Sequence, residues 1–330
     1  LTQGPVVPAF EKALSDVLHV PHAVAVNSAT SGLHLACLAL GLGSGDWLWT
    51  SPITFVASAN CGRYCGANVD FVDIDPSTGL MCPRALARKL QEASATGRLP
   101  KVIVPVHLTG SSCAMEEISS LARHYGISIL VDASHAVGAS YHQEPVGSCM
   151  FSDAAVFSFH PVKIITTGEG GAITTRDASM AQRMARLRSH GITKDPDEFE
   201  YEPAGPWAYE QQELGFNYRL TDLQAALGLS QLERLNEIVA ERNRLHQRYQ
   251  KMLQTLPVNL LMIPKSSVSA LHLAVIRLEG YSKFDHRRVF EGLRTSGIGA
   301  QLHYSPVHLQ PYYRRLGFND GDFPEAEAYS

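Results

Sequence analysis

Residues 158–172 read SFHPVKIITTGEGGA. An apolar run closes at Phe159, a single lysine follows at Lys163, and a glycine-rich loop, Gly168 to Gly171, comes directly after it. Glycine has no Cβ, so such a loop can bend sharply and approach a ligand closely. Lys163 alone reads as a solvated surface lysine sooner than as a ligand-facing one. The glycines do not make a nucleotide loop, because a P-loop carries its lysine after the second glycine of GxxxxGK and here the lysine comes first.

Working outward, short Val- and Ile-rich runs alternate with helical patterns. HAVAV (22–26) reads as a strand and SGLHLACLAL (31–40) as the helix after it. NVDFVDID (68–75) and KVIVPVHL (101–108) are strands, AMEEISSLARHYG (114–126) is a helix, and ISILVDAS (127–134) is the next strand. DAAVFSFH (153–160) and GAITTRD (171–177) follow as strands, and SMAQRMARLRSHG (179–191) as a helix. This alternation predicts an α/β fold with a mostly parallel, helix-covered sheet. Ligands of such sheets lie at the carboxyl ends of the strands. From Thr221, with Asp222 a capping signal, one long helix is expected to about Leu253, ahead of Pro257. A smaller block follows: strand LHLAVIRL (271–278), helix DHRRVFEGLRTSG (285–297) and strand IGAQLHY (298–304). The expected organisation is a large domain over 1–225, then a linker helix and small domain over 226–330. The polar, proline-containing stretch 192–213 reads as a long loop, a kind that is usually functional or mobile.

Twenty-eight basic against 32 acidic residues leave a net charge of -4. That balance speaks against a nucleic-acid partner held by a basic field. Apolar runs of strand length predict no membrane span, and LTQGPVVPAFEK lacks the pattern of a signal peptide. Six scattered cysteines form no CxxC pair. Reduced thiols in a cytoplasm are expected, and no metal site.

Asp132 closes the strand ISILVD, and His135 follows three residues later. Alone, Asp132 is a turn-former or a helix cap. The first strand-to-helix turn, NSATSG (27–32), lacks GxGxxG but offers Ser28, Thr30 and Ser31 hydroxyls at a helix start. It is an anion seat or an ordinary cap. Phosphate seat, strand-end acid and loop lysine together fit pyridoxal 5′-phosphate (PLP). That cofactor needs an amine for a Schiff base, a carboxylate beside its pyridine nitrogen and an anchor for its phosphate. Phe55, in TFVASAN (54–60), is either a stacking face for the ring or core packing.

With these residues assembled, the sequence resembles the DegT-type family of nucleotide-sugar aminotransferases. The resemblance rests on LTQGP, NSATSGLHLA, TFVASAN, VDASHA, SFHPVK, GEGGA, RSHGI, GFNYRLTDLQAALGLSQL and HYSPVHLQPYYR, nine segments in the family's order over nearly the whole chain. It implies the PLP-dependent transferase fold type I, aspartate aminotransferase-like, with a mostly parallel seven-stranded sheet. It implies that Lys163 forms the Schiff base, that Asp132 pairs with the pyridine nitrogen and that His135 lies near the ring oxygen. Thr30, Ser31 and Ser158 would bind the phosphate, and Phe55 would stack on the ring. Asn217 would reach the phosphate in the neighbouring subunit's site, so a homodimer is expected. His303, Tyr304 and His308 match a segment near the sugar-nucleotide pocket, with core or surface roles open beside that one. The implied reaction moves an amino group from L-glutamate to the 4-keto position of a UDP-linked 4-keto-6-deoxy-N-acetylhexosamine. A transaminase for another nucleotide-linked 3- or 4-keto sugar, or a PLP-binding regulatory protein without turnover, are the alternatives. A sugar dehydratase of the same fold would carry histidine where Lys163 stands. Family members begin earlier and run further than this chain, so the small domain is expected to lack its last strand and helices.

Overall fold

The computed structural model describes residues 4–278, 280 and 282–330. Its central sheet is built from β1 (His22–Val26), β2 (Trp47–Thr50), β3 (Asn68–Phe71), β4 (Val102–Val104), β5 (Ser128–Asp132), β6 (Ala154–Ser158) and β7 (Gly171–Thr175). The spatial order is β1-β7-β6-β5-β4-β2-β3. β7 runs antiparallel to both neighbours, and the other pairings are parallel. Every residue of β6 and β7 is buried, as expected for strands covered by helices on both faces. The seven-stranded, mostly parallel sheet is the one the sequence implies.

The helices are α1 (Val6–Val17), α2 (Ala29–Ala39), α3 (Ala57–Tyr64), α4 (Pro83–Thr96), α5 (Met115–His124), α6 (Ala178–Leu187), α7 (Asp222–Leu232), α8 (Leu235–Leu253) and α9 (Lys283–Thr295), with two short ones, α10 (Pro311–Arg314) and α11 (Pro324–Tyr329). Val7, Phe10 and Leu14 of α1, and Met115, Ile118 and Ala122 of α5, form the buried stripes that helical spacing dictates. α2 is different, with every residue from Ser31 to Cys37 buried. It lies tight on the sheet, since a Cβ at Gly32 would stand 3.1 Å from Val156 Cγ1 and 3.2 Å from Ile173 Cγ1.

Four expectations are corrected. The long helix breaks between α7 and α8, where Arg234 takes φ -98° and ψ 3°. No glycine or proline marks this break, and the capping box of Thr221 with Gln224 starts only the first piece. NVDFVDID is a strand only to Phe71; Ile74–Asp75 turns away and pairs with Leu80–Met81. LHLAVIRL contributes only Ile276–Arg277, paired with Asn259–Leu260, because its first half bonds elsewhere through His272 N–H and Thr109 C=O, 2.8 Å apart. IGAQLHY runs as irregular chain. The stretch 192–213 is irregular apart from a pair, Ile192–Thr193 with Glu210–Gln211, and one short 3-10 turn. Val307, Tyr313, Phe323 and Ala326 return to the same buried cluster as the sheet. Among the described residues no helix is long and apolar enough to cross a membrane.

Candidate active site

Asp132 is the last residue of β5 and is 5% exposed. Both its carboxylate oxygens are held: Ser134 N–H donates to Oδ1 at 3.0 Å, and Ser58 Oγ donates to Oδ2 at 2.6 Å. Ser58 lies in the first turn of α3, three residues after Phe55. Phe55 is 59% exposed, so its ring presents a free face and is not core packing.

β6 places the lysine loop beside this acid, since Val156 lies in register with Asp132. After Phe159 the chain folds back tightly. The Phe159 carbonyl accepts from Thr167 N–H at 3.0 Å and from Thr166 Oγ1 at 2.9 Å, and Lys163 N–H donates to His160 C=O at 2.9 Å. Lys163 is half-buried within this loop. Burial, opposed by the Asp132 carboxylate, brings its ammonium down to about 8.

The turn that starts α2 lies at the same sheet end. Gly171 pairs across β7 with Val26 on one side and Ser158 on the other. A Cβ there would stand 2.6 Å from Ala29 N and 2.7 Å from Ser28 C, so only glycine lets the start of α2 sit this close. Ser28 caps α2, its Oγ accepting from Ser31 N–H at 3.1 Å, with the two hydroxyl oxygens 3.0 Å apart. Ser28, Thr30, Ser31 and Ser158 thus surround a helix N-terminus, where backbone N–H groups favour an anion.

On the far side stands a cluster of neutral imidazoles. His135 is buried, and its Nδ1 accepts from Thr109 N–H at 3.3 Å. The proton therefore belongs on Nε2, which lies 3.4 Å from the Tyr304 hydroxyl. Burial first, and then Lys163, hold His135 well below the usual histidine range. Burial and the nearby Asp132 raise the Tyr304 phenol. His303 is lowered by burial, with Lys163 contributing.

Sequence reasoning missed Ser58, Thr54, Thr109 and His272. The His272 ring lies 4.4 Å from that of His135, and burial followed by Lys163 pushes it down to about 3. It is delivered by two facing residues at positive φ, Thr109 (61°) and Leu271 (50°), a strained backbone of the kind found at functional sites. His272 Nδ1 has no partner among the described residues. Asn217 is exposed, on a segment that runs beside the end of β1 through the Val26–Arg219 bridge. His308 is not brought to this site. It is fully buried, with Nε2 3.0 Å from Glu327 Oε1 and its ring against Phe71 and Phe323. β3, which carries Phe71, lies three strands from β5. A histidine packed in this way has no face left for a substrate.

Amine, carboxylate, hydroxyl-lined anion seat and open aromatic face are the donor set that a pyridine aldehyde phosphate requires. Fold and site together define a PLP-dependent transferase of fold type I. The whole chain, residues 1–330, matches the DegT/DnrJ/EryC1/StrS aminotransferase family, and it belongs to that family. It is 39% identical to the UDP-4-amino-4,6-dideoxy-N-acetyl-beta-L-altrosamine transaminase of Campylobacter jejuni, over 96% of this chain and 80% of that protein. Among solved structures it resembles Helicobacter pylori PseC, an aminotransferase involved in the biosynthesis of pseudoaminic acid. The TM-score is 0.90 at 34% identity, over 100% of this chain and 84% of that one. Streptococcus pneumoniae Spr1654 matches over the whole of this chain in its PLP form (TM-score 0.88, 28% identity, 85% of that chain) and its PMP form (TM-score 0.90, 30% identity, 86% of that chain). The protein is an aminotransferase, and its cofactor is PLP.

Proposed function

We propose that the protein transfers the amino group of L-glutamate to the 4-keto carbon of a UDP-linked 4-keto-6-deoxy-N-acetylhexosamine, as in a pseudaminic acid-type pathway. The observation that carries this reading is the half-buried Lys163 amine, brought down to about 8 in a loop beside Asp132. Its resemblance to the C. jejuni transaminase and to PseC supports the choice of sugar.

When bound, PLP supplies an electron sink that stabilises negative charge on the carbon losing its proton. Lys163 would be the amine that holds the cofactor and, when free, would take the proton from the donor's α-carbon as general base and deliver it to the cofactor's carbon as general acid. An amine near 8 suits both roles, because an effective general base lies close to the working pH. Asp132 keeps the pyridine nitrogen protonated, since a neighbouring carboxylate favours the cationic form. Ser28, Thr30, Ser31 and Ser158 bind the phosphate without a cationic side chain. Phe55 offers a stacking face, and His135 an Nε2–H donor toward the ring oxygen. The segment 1–225 supplies all of these groups. The segment 226–330 adds His272, His303 and Tyr304 as the side of the site that a sugar nucleotide would meet. Asn217 of the partner subunit completes the phosphate seat in a homodimer.

The test begins with borohydride reduction of the PLP-loaded protein and peptide mapping, which should label Lys163. Glutamate should then bleach the absorption band of the bound cofactor. A panel of UDP- and dTDP-linked 4-keto-6-deoxysugars, with products identified by NMR, should yield amine at C4 of the UDP-linked N-acetylated substrate. Lys163→Ala should lose at least roughly 10²- to 10⁴-fold in turnover. A PLP band that glutamate leaves unchanged would move the amino-donor assignment, and amination of a different sugar would move the substrate assignment.

A further inference from the structure

Three buried hydroxyl and carboxylate groups stand in line behind the cofactor site: Thr54, Ser58 and Asp132, which are 2%, 0% and 5% exposed. Thr54 Oγ1 lies 2.7 Å from Ser58 Oγ, and Ser58 Oγ lies 2.6 Å from Asp132 Oδ2. The proton routing follows from chemistry. A carboxylate only accepts, so the Ser58 O–H donates to Asp132. The same hydroxyl lies 3.3 Å from the Phe55 carbonyl, too long to compete with a charge-assisted bond of 2.6 Å. With its proton committed, Ser58 Oγ accepts from Thr54, and each bond polarises the next.

From this chain we infer that Ser58, backed by Thr54, is a positioning residue for the Asp132 carboxylate. Ser134 N–H fixes Oδ1 and Ser58 fixes Oδ2, so the carboxylate cannot swivel and its remaining lone pairs are left for the pyridine nitrogen. The usual fate of a helical serine is a bond to its own preceding turn, and here the proton goes 74 residues away. The brace is rigid because α3 is seated hard on the sheet: a Cβ at Gly62 would stand 3.0 Å from Val69 Cγ2 and 3.1 Å from Leu48 Cβ. α3 therefore sets the carboxylate, and Phe55 just before it, as one unit. The inference rests on the PLP reading of Asp132, which the borohydride label on Lys163 tests separately.

The experiment uses PLP-loaded Ser58→Ala, Ser58→Thr and Thr54→Val proteins. It follows the pH titration of the bound cofactor's visible band, PLP release on dialysis, and kcat and KM for glutamate. Ser58→Ala should lower kcat roughly 10- to 100-fold, the range spanned by one hydrogen bond to a charged group, with little change in the glutamate KM. Its titration midpoint should move, and PLP should leave faster. Ser58→Thr should restore the native midpoint, and Thr54→Val should shift it in the same direction by less. If Ser58→Ala fails to fold, Thr54→Val still decides the matter, because it removes only the second link. A native midpoint, PLP retention and kcat in Ser58→Ala or in Thr54→Val overturn the inference. So does a loss in Ser58→Ala that tracks melting temperature alone with no spectral shift. Labelled Lys163 in the wild type together with silent variants sinks the brace and leaves the cofactor assignment standing.

Discussion

The chemistry proposed for Lys163 turns on how often its amine is unprotonated. An ordinary lysine is neutral in well under a thousandth of molecules at pH 7, whereas one near 8 is neutral in roughly a tenth. Burial supplies that gain, and the Asp132 carboxylate works against it by favouring the ammonium. The sign is therefore fixed. Added PLP should attach to cofactor-free protein at a rate that climbs with pH and levels off above about 8. Asp132→Asn removes the opposing charge and should move the midpoint lower, although PLP bound to that variant would lack the carboxylate proposed to face its ring nitrogen. Stopped-flow absorbance measures both, and a wild-type midpoint near that of a free lysine would show that burial does not tune this amine. Lys163 and Asp132 were legible in the sequence because both follow apolar strands, which sends them to one end of the sheet whatever the loops do. For His308 the sequence left core and pocket roles open, since it gives no face for a histidine inside VHL, and the structure turns it onto Phe71 and Glu327. His272 and Thr109 were invisible for another reason. Their meeting depends on two residues at positive φ, 162 positions apart, and no local pattern encodes it.

Among the elements, α2 carries the proposed phosphate seat, and its position depends on what β7 lacks. Gly171→Ala would drive a Cβ against the backbone of Ser28 and Ala29. Backbone cannot rotate away as a side-chain end can, so the start of α2 must move. The expected result is a loss of about 1–3 kcal/mol in stability, with PLP affinity falling by roughly tenfold or more as the hydroxyls of Ser28, Thr30 and Ser31 leave their places. Gly168→Ala is the control. Nothing lies within 4 Å of its added Cβ, but φ there is 81°, so it should cost about 1–2 kcal/mol while α2 and PLP affinity stay as they were. Urea unfolding and a PLP titration separate the two outcomes, and equal PLP affinity in both variants would remove the seat from Gly171's account. The same scale shows where element reading fails. Helical periodicity runs unbroken from Thr221 to Leu253, yet α7 stops at Leu232 and α8 starts at Leu235 without a sequence breaker. Strand-like composition in LHLAVIRL yields to loop bonding because a partner strand must be in reach before a β-prone run becomes a strand.

For the whole molecule, the open question is what covers the surface around Asn217. Leu214 is 83% exposed, Leu223 is 68% exposed, and Leu227, one turn further along α7, is 41% exposed. Exposed apolar residues on either side in sequence of a polar one proposed to bind phosphate are what a homodimer with shared sites would present. The proposal makes a quantitative demand. Lys163→Ala and Asn217→Ala proteins are each impaired alone. When they are mixed, unfolded together and refolded, half of the dimers pair one of each. In such a hybrid one site receives both substitutions and the other receives neither. Activity should therefore return to about one quarter of the wild-type value per protomer under random pairing. If Asn217 served the site of its own chain, every site in the mixture would carry one defect and no activity would return. Light scattering on the same samples fixes the dimer count, so a failure to pair is read apart from a failure to share.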